Sequence, residues 1–209
     1  MRNSAILTFC ESIREKQVIL QVKMKNTATF ILTKILGWKI VGEFPHHKKS
    51  VVIFAPHTSY IDGFLGKLYM MTTHTNYKFL SKKELFRFPQ KYVFRLLGFW
   101  PVYEHSKYIN DVVTLFNNND KLHLVICPEG QRAKTDRWKK GFFYMAINAK
   151  VPVVVGFIDY KKKELGIKGE IVSVEKFNDI MLQVNDYYKN VTAKYPERFS
   201  IDKRFSNNI

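Results

Sequence analysis

The apolar positions of this chain follow two alternating rhythms. Val51-Val52-Ile53-Phe54-Ala55 is a continuous apolar run, rich in β-branched side chains and bounded by Ser50 and Pro56. A run of that kind predicts a strand buried on both faces. Pro56 ends it, because proline has no N–H to give to a ladder. Further strands are predicted over Ile40 to Phe44, Tyr77 to Ser81, Leu122 to Cys127, Val151 to Phe157 and Glu170 to Val174, with a short extended piece over Gly98 to Val102. Helical spacing fills the gaps. Ala28, Ile31, Leu32, Ile35 and Leu36 recur as i, i+3, i+4, i+7 and i+8, with Thr27 placed to cap the start and Gly37 to stop the helix. A second helix runs to about Met71 and carries Phe64, Leu65, Leu68 and Tyr69. Lys82 to Leu97 holds one or two turns broken at Pro89. Ser106 caps a helix with Ile109, Val112, Val113 and Phe116. Gly141 to Lys150 is helical, as is the stretch carrying Ile180, Val184, Tyr187, Tyr188 and Val191.

Strands alternating with helices predict an α/β fold: a single domain with a largely parallel sheet flanked by helices. Residues 1–36 form an N-terminal extension ending in a short amphipathic helix. Within it, Val18 to Val22 is apolar without an evident partner, and residues 1–23 read as an extension the fold does not need. The domain proper spans 37–199, and 200–209 is a polar tail expected to fray.

The strand Val51–Ala55 delivers His57 at its carboxyl end, where open α/β sheets place their ligands. Asp62 follows five residues later, near a helix start. The loop can bring its carboxylate back to the imidazole, and such a pair makes a general base. The plainer alternative is a solvated histidine beside a helix-capping aspartate. A second loop weighs against it. The strand Leu122–Cys127 delivers Pro128-Glu129-Gly130-Gln131-Arg132. Gly130 allows close backbone approach to a ligand. Arg132 offers a planar fork of donors suited to phosphate, and Glu129 can accept from a substrate hydroxyl or orient the arginine. Alone, this stretch is equally a β-turn with a surface ion pair. Right-handed crossovers put both loops on one sheet edge if their strands are near neighbours.

Charge narrows the partner. The 209 residues carry 34 Lys+Arg against 18 Asp+Glu, a formal net charge of +16. That balance calls for an anionic partner: nucleic acid, an anionic membrane surface or a phosphorylated substrate. Lys82, Lys83, Arg87, Lys91 and Arg95 interleave with Phe86, Phe88 and Tyr92, which suits a bilayer interface or RNA. No apolar run reaches the roughly 18 residues of a spanning helix, and the start is too short in apolar residues for a secretory signal. Cys10 and Cys127 make no disulfide framework, which suits a reducing compartment. His46 and His47 stand side by side without a Cys or carboxylate cluster, so no metal site is expected.

His57-x4-Asp62, Cys127-Pro128-Glu129-Gly130-Gln131-Arg132 and Val151-Pro152, with Lys139-Lys140-Gly141 after the second of these, resemble the first, third and fourth motifs of the glycerolipid acyltransferase family. The resemblance runs from about Gly37 to Tyr160. It implies the lysophosphatidate/glycerol-3-phosphate acyltransferase fold and transfer of a fatty acyl group from a thioester to a lysophospholipid hydroxyl, most simply that of 1-acylglycerol-3-phosphate. His57 would take the hydroxyl proton and Asp62 would hold the imidazole. Glu129, Gly130, Arg132 and Lys140 would meet the acceptor. No cofactor is implied; acyl-coenzyme A or an acylated carrier protein is the co-substrate. The implied location is peripheral, on the cytoplasmic face of an anionic membrane. The family's second motif usually ends in arginine, whereas Gly98-Phe99-Trp100-Pro101-Val102 continues to Tyr103-Glu104; Lys82 or Lys83 is the candidate substitute. Pro56 stands where asparagine is common and Gln131 where threonine is. An amino-acid lipid is an alternative acceptor. A nucleic-acid-binding module lacks any recognisable RNA-binding signature, so no nucleic-acid partner is expected. A hydrolase built on Ser59 or Cys127 lacks a Gly-x-Ser-x-Gly elbow.

Overall fold

The computed structural model of the chain describes residues 22–73, 75–96, 98–102, 108–173 and 175–206. Residues 1–21, Ser106 and Val174 lie outside these, and with them most of the N-terminal extension and the expected cap at Ser106.

The described chain opens in helix α1, already helical at residue 22 and running into a π-helical turn over Ile31–Ile35. Thr27 therefore lies inside the helix rather than capping it. Ala28 and Leu32 are buried as the spacing requires. Ile35 is not: the wider turn, closed by Leu36 N–H on the Ile31 carbonyl (2.9 Å), rotates it off the stripe and leaves it 64% exposed. Gly37 stops the helix at φ 68°, a left-handed geometry that glycine adopts without steric cost.

Strands β1 (Lys39–Val41), β2 (Lys49–Ala55), β3 (Tyr77–Lys82), β4 (Phe99–Val102), β5 (Leu122–Ile126), β6 (Val153–Asp159) and β7 (Glu164–Ile171) form one sheet in the order β1-β7-β6-β2-β5-β3-β4. Every neighbouring pair is parallel except β6–β7. The fold class is the one expected. The last strand is not where it was expected: it starts at Glu164, not Glu170. The Lys161-Lys162-Lys163 turn is a tight reversal, with Lys163 at φ 51°, so pairing with β6 resumes at once.

The apolar run of β2 explains the layering. Successive side chains of a strand face opposite ways. Val51, Ile53 and Ala55 enter the core beneath α4 (Tyr108–Asn117), α5 (Gly141–Ala149) and α6 (Phe177–Tyr188). Val52 and Phe54 enter the core beneath α1 and α2 (Tyr60–Thr72). All five are 5% exposed or less, and each of the four larger side chains is worth roughly 1.5–3 kcal/mol of burial. A short helix, α3 (Gln90–Leu96), lies beyond the β3–β4 edge.

Polar groups inside these cores are paired over long distances. Ser50 and His123 stand opposite one another on β2 and β5, and Ser50 Oγ lies 2.8 Å from His123 Nδ1. Burial, reinforced by His47, pushes the His123 imidazole down from 6.5 to about 4. A histidine depressed on folding stabilises above its unfolded value and loses that contribution as pH falls. Urea unfolding should therefore show stability declining from pH 6.5 towards pH 4, with a shallower decline in Ser50→Ala/His123→Leu. An equal slope in the two proteins would assign the acid sensitivity elsewhere.

The segment after Phe199 is tied to the rest of the domain through Asp202. Asp202 is fully buried; its carboxylate accepts the Trp138 N–H (2.9 Å) and the Arg204 Nε–H (2.9 Å), and pairs with Arg204 Nη2 at 2.5 Å. Asn185 on α6 donates to the Asp202 carbonyl at 2.8 Å. Composition alone marks 200–209 as a polar tail; through residue 206 it is part of the domain.

Candidate active site

β2 and β5 are adjacent and parallel, with Ile53 opposite Ile126, so their carboxyl-end loops share one edge. His57 leaves β2 and Glu129 leaves β5. The His57 backbone N–H donates to Glu129 Oε1 at 2.8 Å and ties the two loops together.

Asp62 lies in the first turn of α2. Ser59 is the helix N-cap: its hydroxyl accepts the Ile61 N–H, and Asp62 returns a carboxylate oxygen to the Ser59 N–H in a capping box. The same Oδ2 accepts the Thr58 N–H at 2.6 Å, and Oδ1 accepts the Tyr160 hydroxyl at 2.5 Å. Only 4% exposed, Asp62 is thus a capping residue and an oriented carboxylate at once. His57 Nδ1 stands 4.0 Å from Oδ2, within ion-pair range but beyond hydrogen-bond range. Nδ1 is buried and has no hydrogen-bond partner among the described residues. A shift of about 1 Å would supply one, and catalytic hydrogen bonds commonly tighten when substrate binds. Burial holds the imidazole below its usual value; Asp62 opposes that shift and Arg132 adds to it.

Glu129 sits elsewhere than its residue type suggests. Glu129 is 4% exposed, and its carboxyl lies beneath the His57 backbone, whose N–H it accepts. Burial raises its pKa to about 8, even though the His57 N–H pulls the other way. Here it joins the two loops. Gly130, at φ 69°, lies against Lys139, where a Cβ would stand 2.9 Å from Lys139 Cγ. The Lys139 N–H donates to the Pro128 carbonyl (2.8 Å), so the loop is closed on itself. Arg132 stacks on Tyr60, its guanidinium carbon 3.4 Å from the ring centroid.

A cavity of about 1210 Å³ opens over these groups. His57, Tyr60, Gly130 and Arg132 line one side. Lys82 at the end of β3, Lys140 ahead of α5, and Arg198 add positive charge to its wall. Leu80, Val102, Ile109, Ile126 and Met145 supply apolar surface. A cavity both cationic and apolar suits a ligand with an anionic head and a hydrocarbon chain. The Cys127 thiol is pushed up by burial and by the Glu129 and Asp62 carboxylates, which disfavours a nucleophilic thiolate. His47 is engaged by Glu170 at 2.6 Å. Among the described residues no three His, Cys, Asp or Glu side chains stand together as a metal site.

A family model described as Acyltransferase matches residues 37–157. The chain belongs to the acyltransferase family. Its fold is similar to the crystal structure of the 1-acyl-sn-glycerophosphate (LPA) acyltransferase PlsC from Thermotoga maritima, with a TM-score of 0.58, 16% sequence identity, and coverage of 84% of this chain and 80% of that one. No curated protein matches the sequence. The matched region of the acyltransferase contains the His57, Asp62 and Glu129–Arg132 loops. The site also uses residues beyond it. Tyr160 holds Asp62, the Tyr195 N–H donates to Thr58 Oγ1 at 3.3 Å, and Arg198 lines the cavity. Nothing local in the sequence marks these three, since their partners are far away along the chain.

Proposed function

We propose that this acyltransferase moves a fatty acyl group from an acyl thioester to the hydroxyl of a lysophospholipid, 1-acylglycerol-3-phosphate being the first acceptor to test. The observation that carries this is His57, beside a buried carboxylate, on the wall of a cavity both apolar and cationic. His57 Nε2 takes the acceptor's hydroxyl proton while the oxygen attacks the thioester carbonyl. The C–S bond breaks, and the departing thiolate recovers that proton from the imidazolium as free thiol. Arg132, Lys140 and Lys82 meet the acceptor's phosphate. Lys82 stands in for the arginine the second motif lacks. Coenzyme A and acyl carrier protein thioesters both fit the chemistry, and no cofactor is required by it.

The working place is a peripheral one, on the cytoplasmic face of an anionic membrane. Phe88 is 79% exposed and Tyr92 59%, with Arg87, Lys91 and Arg95 around them. Exposed aromatics among cations suit a bilayer interface. No helix among the described residues is long and apolar enough to cross a membrane.

The direct test is thiol release from palmitoyl-coenzyme A and from palmitoyl-acyl carrier protein, each with and without lysophosphatidate, beside an amino-acid lipid and a phosphate-free lyso-lipid. Release that depends on lysophosphatidate is expected. Release only with the phosphate-free or amino-acid acceptor would replace the acceptor and keep the chemistry. The pH profile adds a second check. kcat/KM reports the free enzyme's base, so its acid limb should lie below pH 6.5, the ordinary value from which His57 is lowered. Arg132→Ala removes a nearby positive charge and should move that limb to higher pH. Asp62→Asn removes a negative one and should move it lower. Shifts in one common direction would dissociate the limb from His57.

A further inference from the structure

Asp62 accepts three hydrogen bonds, and they differ in kind. The Thr58 and Ser59 N–H groups belong to its own loop and would move with it. The Tyr160 hydroxyl comes from the residue that follows β6, 98 positions away, and among the described residues it is the donor that ties the carboxylate to the sheet. Tyr160 is itself held on two sides. Its N–H donates to the Thr192 carbonyl at 2.9 Å. Its ring meets Trp38, at the end of α1, edge-on with centroids 5.1 Å apart.

We propose that Tyr160 is a positioning residue for acyl transfer: its hydroxyl engages Asp62 Oδ1 and so keeps Oδ2 turned towards His57. This rests on His57 and Asp62 acting as the base and its partner. Without the hydroxyl, a buried carboxylate oxygen loses its partner and the carboxylate is free to rotate about the loop's two N–H bonds. Burial and Asp62 both hold the Tyr160 hydroxyl in its protonated form, so it remains a donor throughout any practical assay range. It carries no proton in the reaction and touches no reacting atom. The sequence offers no sign of this, because Tyr160 follows a strand as an ordinary turn residue.

Tyr160→Phe keeps the ring against Trp38 and removes only the hydroxyl. The expected result is a kcat lowered about ten- to a hundredfold, with KM for donor and acceptor within about twofold, as for groups acting within one network. In an Asp62→Ala background the same change should have no further effect. An unchanged kcat, or a loss of the same size in that background, would overturn the proposal. NMR titration of His57, assigned by the signal missing from His57→Ala, reads the same coupling without turnover. The charged or titratable groups facing His57 are Asp62 from α2, and Arg132 and Glu129 from the loop after β5; Tyr60 and Cys127 share the cavity wall with it. Its midpoint should differ between wild type and Tyr160→Phe and should not differ between Asp62→Ala and the double variant. No difference in the first pair overturns the proposal. A wild type inert towards lysophosphatidate but showing that difference would remove the acceptor and leave Tyr160 in its role. Identical kcat and His57 titration in wild type and Asp62→Ala would remove the base and Tyr160 together.

Discussion

His57→Ala should abolish acceptor-dependent thiol release, lowering kcat by roughly 10²–10⁴-fold, the usual worth of a positioned base, while leaving the fold intact. The second half follows from how little the imidazole does for stability. Its Nδ1 is buried without a hydrogen-bond partner among the described residues. The bond that joins the two loops comes from the His57 backbone N–H to Glu129, and alanine retains it. Thermal melting should therefore be close to wild type. Activity that survives in a well-folded His57→Ala would exclude the histidine as base. Glu129 makes a useful contrast. Glutamine there keeps an oxygen for the His57 N–H and removes only an ionisation already held up to about 8 by burial.

Asp202→Ala should be the most damaging single change to stability outside the apolar cores, costing about 2–4 kcal/mol. Buried donors left unpaired cost on the order of 1–3 kcal/mol each, and breaking a buried ion pair costs more still. Arg204 is about one-third exposed (33%), so water recovers part of its share. The Trp138 N–H recovers little, since Trp138 is almost fully buried. The damage should extend to the site. Trp138 precedes Lys139, whose N–H closes the loop on Pro128, and Lys139 packs against Gly130. Urea unfolding measures the first effect, and KM for the acceptor, raised in the variant, measures the second. A midpoint unchanged within a few tenths of a molar would show the Asp202 cluster to be neutral.

What was legible in the sequence was what is local. Val51–Ala55 announces a central strand by composition alone, because a strand covered on both faces must be apolar at every position. The His57 and Glu129–Arg132 loops are legible because each follows such a strand, whereas the adjacency of β2 and β5 that brings them together is left open by the sequence and supplied by the sheet order. The misplaced elements have equally specific causes. Leu165-Gly166-Ile167-Lys168-Gly169 looks like a loop for its glycines, yet it is β7. Gly166 there takes φ 151° and lies against the β1 backbone, where a Cβ would stand 1.9 Å from the Val41 carbonyl oxygen. Asp202 looks solvated because Ser200, Lys203, Arg204 and Ser206 stand around it. Tyr160 and His123 carry their meaning in partners 98 and 73 positions away, and no window along the chain contains both members of either pair.

The interleaved order of the sheet also governs how the protein is made. β2, among the earliest strands to leave the ribosome, takes as neighbours β5 and β6, both of which are translated much later. Its loop waits for Glu129, 72 residues on, and its aspartate for Tyr160. At roughly 5–20 residues per second, that leaves one of the most apolar stretches of the chain unpaired for several seconds in each round of synthesis. Apolar segments left unpaired in this way make incompletely folded chains aggregation-prone. Slow codons placed between the two motif loops would lengthen the exposure of β2, whereas the same codons after residue 206 would not.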